Sequence, residues 1–292
     1  MRRTRAGATW VAAALALLAA CGAQDPAPSQ TLPSAPEAEP EPPAPPTVEP
    51  EPGEGEYRAG LPAAVEIPPD RTDPAALVVL VPGGGWRSAD PVGLAPLADH
   101  LVGEGYAVAT ITYRTGRTGD VFPTPVDDVA CAVAYASAQV PGVDVVVLGH
   151  SAGAHLASVA ALDPVRSDRC PHRRVRVDGV VGLAGPYDVS ATWGLAEVLF
   201  GVPADQAPEA WEQGNPLTLV ERRPDLPFLL VHGEADQVVP VSFTTDFADA
   251  LRGARHEVAV ELLPDVDHAQ VLSPDVVGDV VVGWLARVAA QA

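Results

Sequence analysis

The sequence predicts an α/β fold built on a mostly parallel central sheet with helices on both faces. Three observations carry this. Short apolar runs alternate with longer stretches of helical composition from about Tyr57 to Ala292. The runs are continuous rather than alternating, which is the mark of strands covered on both faces. The residues with chemical potential stand just after the runs, where open parallel sheets gather their ligands.

Taken in order, Ala76-Leu77-Val78-Val79-Leu80-Val81 is the first such strand, and Pro82-Gly83-Gly84-Gly85 stops it. Pro91 to Val102 has helical composition, and Tyr106 to Thr112 is rich in β-branched residues and reads as a strand. A helix near Val126 to Gln139 leads into a strand over Val143 to Leu148. Ala154 to Leu162 then reads as a helix, being mostly Ala and Leu. Val177 to Leu183 and Phe228 to His232 are further strands. Thr244 to Leu251 is a helix, Glu257 to Leu263 a strand, and Pro274 to Ala290 the closing helix. Between the strands at Val181 and Leu229, the stretch Ser190 to Leu219 interrupts the alternation as a small cap-like insertion carrying Trp193, Leu199, Phe200 and Trp211. Its apolar residues suit an acyl or aromatic group, and ordinary helical packing accounts for them equally well.

The segment ahead of this domain reads differently. Met1-Arg2-Arg3-Thr4-Arg5 is a positive start, and Ala6 to Ala20 is an apolar stretch too short to span a bilayer comfortably, so residues 1–20 read as a signal peptide. Leu18-Ala19-Ala20-Cys21-Gly22 resembles a bacterial lipobox, which implies lipid on Cys21; an ordinary peptidase site is the alternative. Residues 21–56 are dominated by Pro, Glu, Ala and Ser, a composition that stays extended and solvated and suits a stalk. The expectation is an exported domain, residues 57–292, tethered to the outer face of a bacterial cell membrane through Cys21.

Composition narrows the partners. The 292 residues carry a formal net charge of −20, and every cationic side chain is Arg, with no Lys in the chain. No basic stripe offers itself to nucleic acid, and anionic polymers are repelled. With Cys21 assigned to lipid, Cys131 and Cys170 form an even pair in an oxidising compartment. A bridge between them closes a loop of about 40 residues, a restriction of roughly 4 kcal/mol on the unfolded chain; two separate buried thiols are the alternative. No Cys or His sits at ligand spacing around either one, so no metal is expected, and no cofactor.

Gly149-His150-Ser151-Ala152-Gly153 is the most informative stretch. It follows a strand and opens a helix, so it reads as a serine on a sharp turn whose flanking glycines let the backbone fold back. Asp236, in His232-Gly233-Glu234-Ala235-Asp236-Gln237-Val238-Val239-Pro240, and His268, in Asp265-Val266-Asp267-His268, each follow a later strand. The order Ser, Asp, His is the chain order of one of the known triad arrangements.

These motifs together resemble the α/β-hydrolase superfamily, and within it the branch of bacterial esterases and lipases that includes feruloyl and acetylxylan esterase-like proteins and kynurenine formamidase-like enzymes. Pro82-Gly83-Gly84-Gly85-Trp86 is similar to that branch's His-Gly-Gly-Gly-Trp loop, with Pro82 where the family usually has His. The likeness covers about residues 60 to 290. It implies a serine hydrolase with Ser151 as nucleophile, His268 as base and Asp236 as its orienting acid. It also implies oxyanion donors on the backbone of Ala152, Gly83 and Gly84. Trp86 is either loop packing or a wall of the acyl pocket. Glu234 competes with Asp236, while Asp265 and Asp267 read as solvated loop acids. His150, His155 and His232 read as structural. The expected substrates are small-molecule or glycan-borne carboxylic esters with short or aromatic acyl groups. An exopeptidase or amidase of the same fold, or a non-catalytic surface protein on a hydrolase scaffold, are the competing readings.

Overall fold

Leu77–Val81 shows why the apolar runs carry no alternation. In the computed structural model this strand is buried along its whole length. Leu77, Val79 and Val81 enter one core, while Val78 and Leu80 enter another on the opposite face. Successive side chains of a strand point to opposite faces, so a strand with helices on both sides needs an apolar residue at every position. The structure describes residues 55–69, 73–163 and 170–290. The signal peptide, Cys21 and nearly all of the Pro/Glu-rich stalk lie outside them.

Eight strands form one sheet: β1 (Glu56–Arg58), β2 (Leu61–Glu66), β3 (Leu77–Val81), β4 (Ala107–Ile111), β5 (Val145–His150), β6 (Gly179–Leu183), β7 (Phe228–Gly233) and β8 (Val258–Leu263). Their spatial order is β1-β2-β4-β3-β5-β6-β7-β8. All pairs from β4 to β8 are parallel, and β1 and β2 add an antiparallel edge.

The helices are α1 (Ala95–Gly103), α2 (Thr124–Gln139), α3 (Ala152–Leu162), α4 (Glu197–Phe200), α5 (Pro208–Gln213), α6 (Ser242–Gly253) and α7 (Pro274–Ala289). Leu97 and Leu101 of α1 join Val277, Val281 and Trp284 of α7 in one core. Val129 of α2, Leu156 of α3 and Phe247 of α6 belong to the other. The predicted helix from Pro91 is a 3₁₀ turn over Pro91–Leu94 followed by α1.

The edge strands β1 and β2 are absent from the sequence reading. Leu61-Pro62-Ala63-Ala64-Val65-Glu66 has little β propensity of its own, and what holds it is tertiary. Asp128 of α2, fully buried, takes Arg114 at 2.9 and 2.7 Å and Arg58 of β1 at 3.4 Å. A carboxylate removed from water needs such partners, so this pair of arginines ties the edge and the exit of β4 to α2. Cys131 and Cys170 are bridged, joining α2 to the chain beyond α3.

Candidate active site

Ser151 sits at the carboxyl end of β5 with φ 52° and ψ −122°, a backbone that a non-glycine residue holds only when its surroundings impose it. Here the surroundings are tight. The Ser151 N–H donates to Leu183 O at 2.8 Å, fixing the turn to the end of β6. A methyl group on Gly153 would lie 2.6 Å from Pro82 O and closer still to Val81 O, so only glycine lets α3 start against the end of β3. Gly83 is packed against the nucleophile turn: a Cβ there would stand 3.1 Å from Ser151 Cβ. Among the described residues, the N–H groups of Gly83, Gly84 and Ala152 donate to no protein acceptor, and Ala152 is at the first position of α3. They are thus unspent donors beside Ser151, on the face where helix α3 presents its positive end.

Asp236 and His268 are brought together by loops after β7 and β8. His268 Nδ1 lies 2.6 Å from Asp236 Oδ2. Burial pushes the pKa of Asp236 up, but hydrogen bonds from Val239, His268 and Val238 outweigh it and hold the carboxyl below its usual range. The ionised carboxylate can only accept, so His268 donates from Nδ1 and keeps the lone pair on Nε2. Asp236 Oδ1 accepts from the backbone N–H of Val238 at 2.7 Å and Val239 at 2.9 Å. His232 completes the shell. Its Nε2–H donates to Val239 O at 2.9 Å and lies 3.2 Å from Asp236 Oδ2, while Thr244 Oγ1 donates to its Nδ1 at 2.7 Å. Burial lowers its pKa, which keeps it neutral. Ser151 Oγ makes no hydrogen bond among the described residues, and contacts of this kind commonly tighten only in the substrate complex.

The remaining candidates sort by geometry. Glu234 is exposed, whereas Asp236 is buried. Asp265 is exposed as well, and Asp267 Oδ1 accepts from the N–H of Ala269 and Gln270 and so shapes the His268 loop. His150 Nε2 donates to the His268 carbonyl at 2.9 Å, and the two rings lie 4.8 Å apart. Burial first, and the His268 ring second, push the His150 pKa down to about 4, so it is neutral and free to donate. His155 is fully buried, with a pKa lowered to about 4 by desolvation. It accepts from Trp86 Nε1 at 3.2 Å and donates to Gly214 O at 2.7 Å. Both structural histidines therefore brace loops of the site: one the His268 loop, the other the glycine loop and the insertion.

Trp86 has both of the roles left open in the sequence. It is packed, 3% exposed, and it lines a cavity of about 140 Å³ that reaches Ser151. Gly85, Ala152, Pro186, Trp193 and Val239 are among its other walls. Pro82, in place of the usual histidine, keeps its carbonyl in use: Tyr113 donates to it at 2.9 Å. The cap-like insertion divides. Leu199, Phe200 and Trp211 are buried packing, with Phe200 stacked on Trp211 at 4.3 Å, whereas Trp193 faces the cavity. Pro186, Val238 and Phe243 were missed as cavity walls; the position of Val238, two residues after Asp236, was the available signal. No group of His, Cys, Asp and Glu that could hold a metal ion occurs among the described residues.

The sequence model of the BD-FAE family matches residues 64–251. The chain belongs to the BD-FAE family. Esterase LipC of Mycobacterium tuberculosis is 32% identical to this BD-FAE member over 222 residues, 68% of this chain and 53% of that protein. The probable carboxylic ester hydrolase LipM of the same organism is 29% identical over 219 residues, 68% of this chain and 50% of that protein. The chain thus spans about half the length of the curated relatives it matches. Among solved structures, the acetyl ester-xyloside bifunctional hydrolase from Caldicellulosiruptor lactoaceticus superimposes with a TM-score of 0.66 at 22% identity, covering 77% of this chain and 87% of that one. A truncated carbohydrate esterase from gut microbiota gives 0.68 at 19% identity, over 78% and 91%. At these identities the likeness is one of architecture, and with the sheet order it makes this BD-FAE member an α/β-hydrolase fold.

Proposed function

We propose that this domain is a serine hydrolase of carboxylic esters. The observation that carries the reading is the strained Ser151 turn, set among unspent backbone donors, in the wall of an apolar cavity, with the Asp236–His268 pair on the loops after β7 and β8 of the same sheet. Ser151 Oγ attacks the ester carbonyl as its proton passes to His268 Nε2. The negative oxygen that forms is held by the N–H groups of Ala152, Gly83 and Gly84. Collapse returns the proton from His268 to the departing alcohol and leaves an acyl group on Ser151. Water, deprotonated by His268, then releases the acid. Asp236 keeps the imidazole in the Nδ1–H form and balances the imidazolium charge. The relatives named as esterases, LipC and LipM, support ester over amide substrates.

A fluorophosphonate is expected to label the protein at Ser151 and Ser151→Ala to remove both labelling and p-nitrophenyl acetate hydrolysis. An unlabelled folded protein refutes the proposal, and faster turnover of an aminoacyl-p-nitroanilide than of the acetate makes it an amidase instead. We further propose export and tethering through lipid on Cys21. The lipobox-like sequence supports this, and the Cys131–Cys170 bridge fits an oxidising compartment.

A further inference from the structure

Five large apolar side chains stand exposed among the described residues: Ile67, Val92, Trp193, Leu195 and Val238. Three of the five belong to the wall of one cavity, the one that reaches Ser151. Trp193 is 78% exposed, Leu195 58% and Val238 63%. They come from two separate segments, Trp193 and Leu195 from the insertion after β6 and Val238 from the loop after β7, so a single sequence accident does not explain the cluster. Isolated exposed apolar residues are ordinary, but a contiguous group at a cavity mouth marks a surface that something covers. The insertion had the means to bury its aromatics, since Phe200 and Trp211 stack inside it. Trp193 instead is exposed on a backbone with φ 52°, its ring set edge-on to Phe243 with ring centres 6.4 Å apart.

The size of the cavity says what covers the rim. A space of about 140 Å³ is close to the ~150 Å³ that accommodates one benzene ring. A short acyl group or one aromatic ring fills it, and anything larger continues outward over Trp193, Leu195 and Val238. The polar side chains in the wall are few. Thr192 Oγ1 is already used, donating to Val189 O and accepting from Ala196 N, and Trp86 Nε1 donates to His155, which leaves Ser151, Arg87 and the indole N–H of Trp193. A sugar needs several convergent donors and acceptors, and this wall does not offer them.

We infer that the Trp193–Leu195–Val238 rim binds an extended apolar group of the substrate, so that the site selects esters whose acyl or alcohol part is a hydrocarbon chain or ring system larger than the cavity, over esters carried on a glycan. The inference rests on Ser151 being the nucleophile of an esterase, and it narrows the substrate class of that site.

Two ester series test it on the whole protein, p-nitrophenyl acylates from acetate to octanoate and alkyl acetates from ethyl to octyl. In at least one, kcat/KM is expected to climb by up to about fourfold per methylene once the chain passes the cavity. Trp193→Ala is expected to flatten that climb, lowering the octyl or octanoyl member at least tenfold more than the shortest member. Equal loss at both ends of the series overturns the inference, as do flat series in the wild type or faster deacetylation of an acetylated xylo-oligosaccharide than of any alkyl ester. So does a dimer that Trp193→Ala converts to monomer with chain-length dependence unchanged, since a second copy would then be the occupant. Binding separates this inference from the esterase reading. Ser151→Ala protein is expected to bind p-nitrophenyl octanoate at least tenfold more tightly than the acetate, by tryptophan fluorescence, and to lose that margin in Ser151→Ala/Trp193→Ala. Loss of hydrolysis with this margin intact removes only the esterase reading; hydrolysis of acetate with no margin removes only the rim.

Discussion

Gly153→Ala puts the geometry of the nucleophile turn to a quantitative test. The added methyl would stand 2.6 Å from Pro82 O and nearer to Val81 O. Restoring an ordinary separation of ~3.5 Å therefore moves either the start of α3 or the end of β3 by about 1 Å. Both routes damage the same thing, because α3 carries Ala152 N–H and β3 runs directly into Gly83. A displacement of that size costs about 10²-fold through misorientation, and outright loss of one oxyanion donor costs ~10²–10³. The expected result is a folded protein with kcat reduced at least 100-fold and KM changed far less, with overpacking costing about 1–3 kcal/mol of stability. Two companions calibrate it. Gly83→Ala meets His150 Nδ1 at 2.9 Å and both His150 O and Ser151 Cβ at 3.1 Å, each longer than the Gly153 contacts, so its loss in kcat is expected to be smaller. Gly283→Ala, inside α7 with nothing within 4 Å, is expected to retain full activity and gain about 0.5–1 kcal/mol in urea unfolding. Esterase kinetics and urea midpoints on the three variants decide the matter. Wild-type kcat in Gly153→Ala, or a larger loss in Gly83→Ala than in Gly153→Ala, refutes the assignment of the oxyanion site to this contact.

Asp236→Asn keeps the shape of the acid but removes the charge that fixes the His268 tautomer, and kcat for p-nitrophenyl acetate is expected to fall by roughly 10³–10⁴-fold with little change in KM; a loss under tenfold contradicts the role given to Asp236. His155 is held neutral, its pKa near 4 in the folded protein. The unfolded chain takes up a proton near pH 6.5 that the native state refuses, so this contribution to stability is complete above pH 6.5 and declines as pH falls toward 4. Between pH 7.5 and 5 the decline is about 2 kcal/mol per such histidine. His155→Gln is expected to remove that share of the pH dependence in urea midpoints, leaving the share of His150, and identical pH slopes for the two proteins refute the assignment.

The sheet was readable where burial is symmetric and unreadable where it is not. β3, β5 and β7 are covered on both faces, so their sequences are apolar at nearly every position and no helix of that composition would fit so short a run. β1 and β2 have no such signature. Arg58 and Glu66 are charged, Pro62 removes a donor, and the strand pairing is stabilised by Asp128, some 70 residues away in sequence. A local pattern cannot report an anchor that only the folded chain brings near.

The site divides by the same logic. The placement of Ser151, Asp236 and His268 after strands of a parallel sheet was legible, and the topology brings two of them together: Asp236 and His268 are 32 residues apart yet share a 2.6 Å hydrogen bond. The bracing histidines were visible as residues but not as devices. His150 and His155, one and four positions from Ser151, read as structural, and their partners lie at His268 O, Trp86 and Gly214, positions that nothing in the sequence links. The insertion is the sharper case. Trp193 and Trp211 are the same residue type in the same segment, and composition assigns them one role. What separates them is backbone: Trp211 lies on a helix that turns it onto Phe200, while Trp193 occupies a left-handed conformation that turns it out over the cavity. The exposure of Trp193 at the cavity therefore goes with a φ angle, which no pattern of apolar residues encodes.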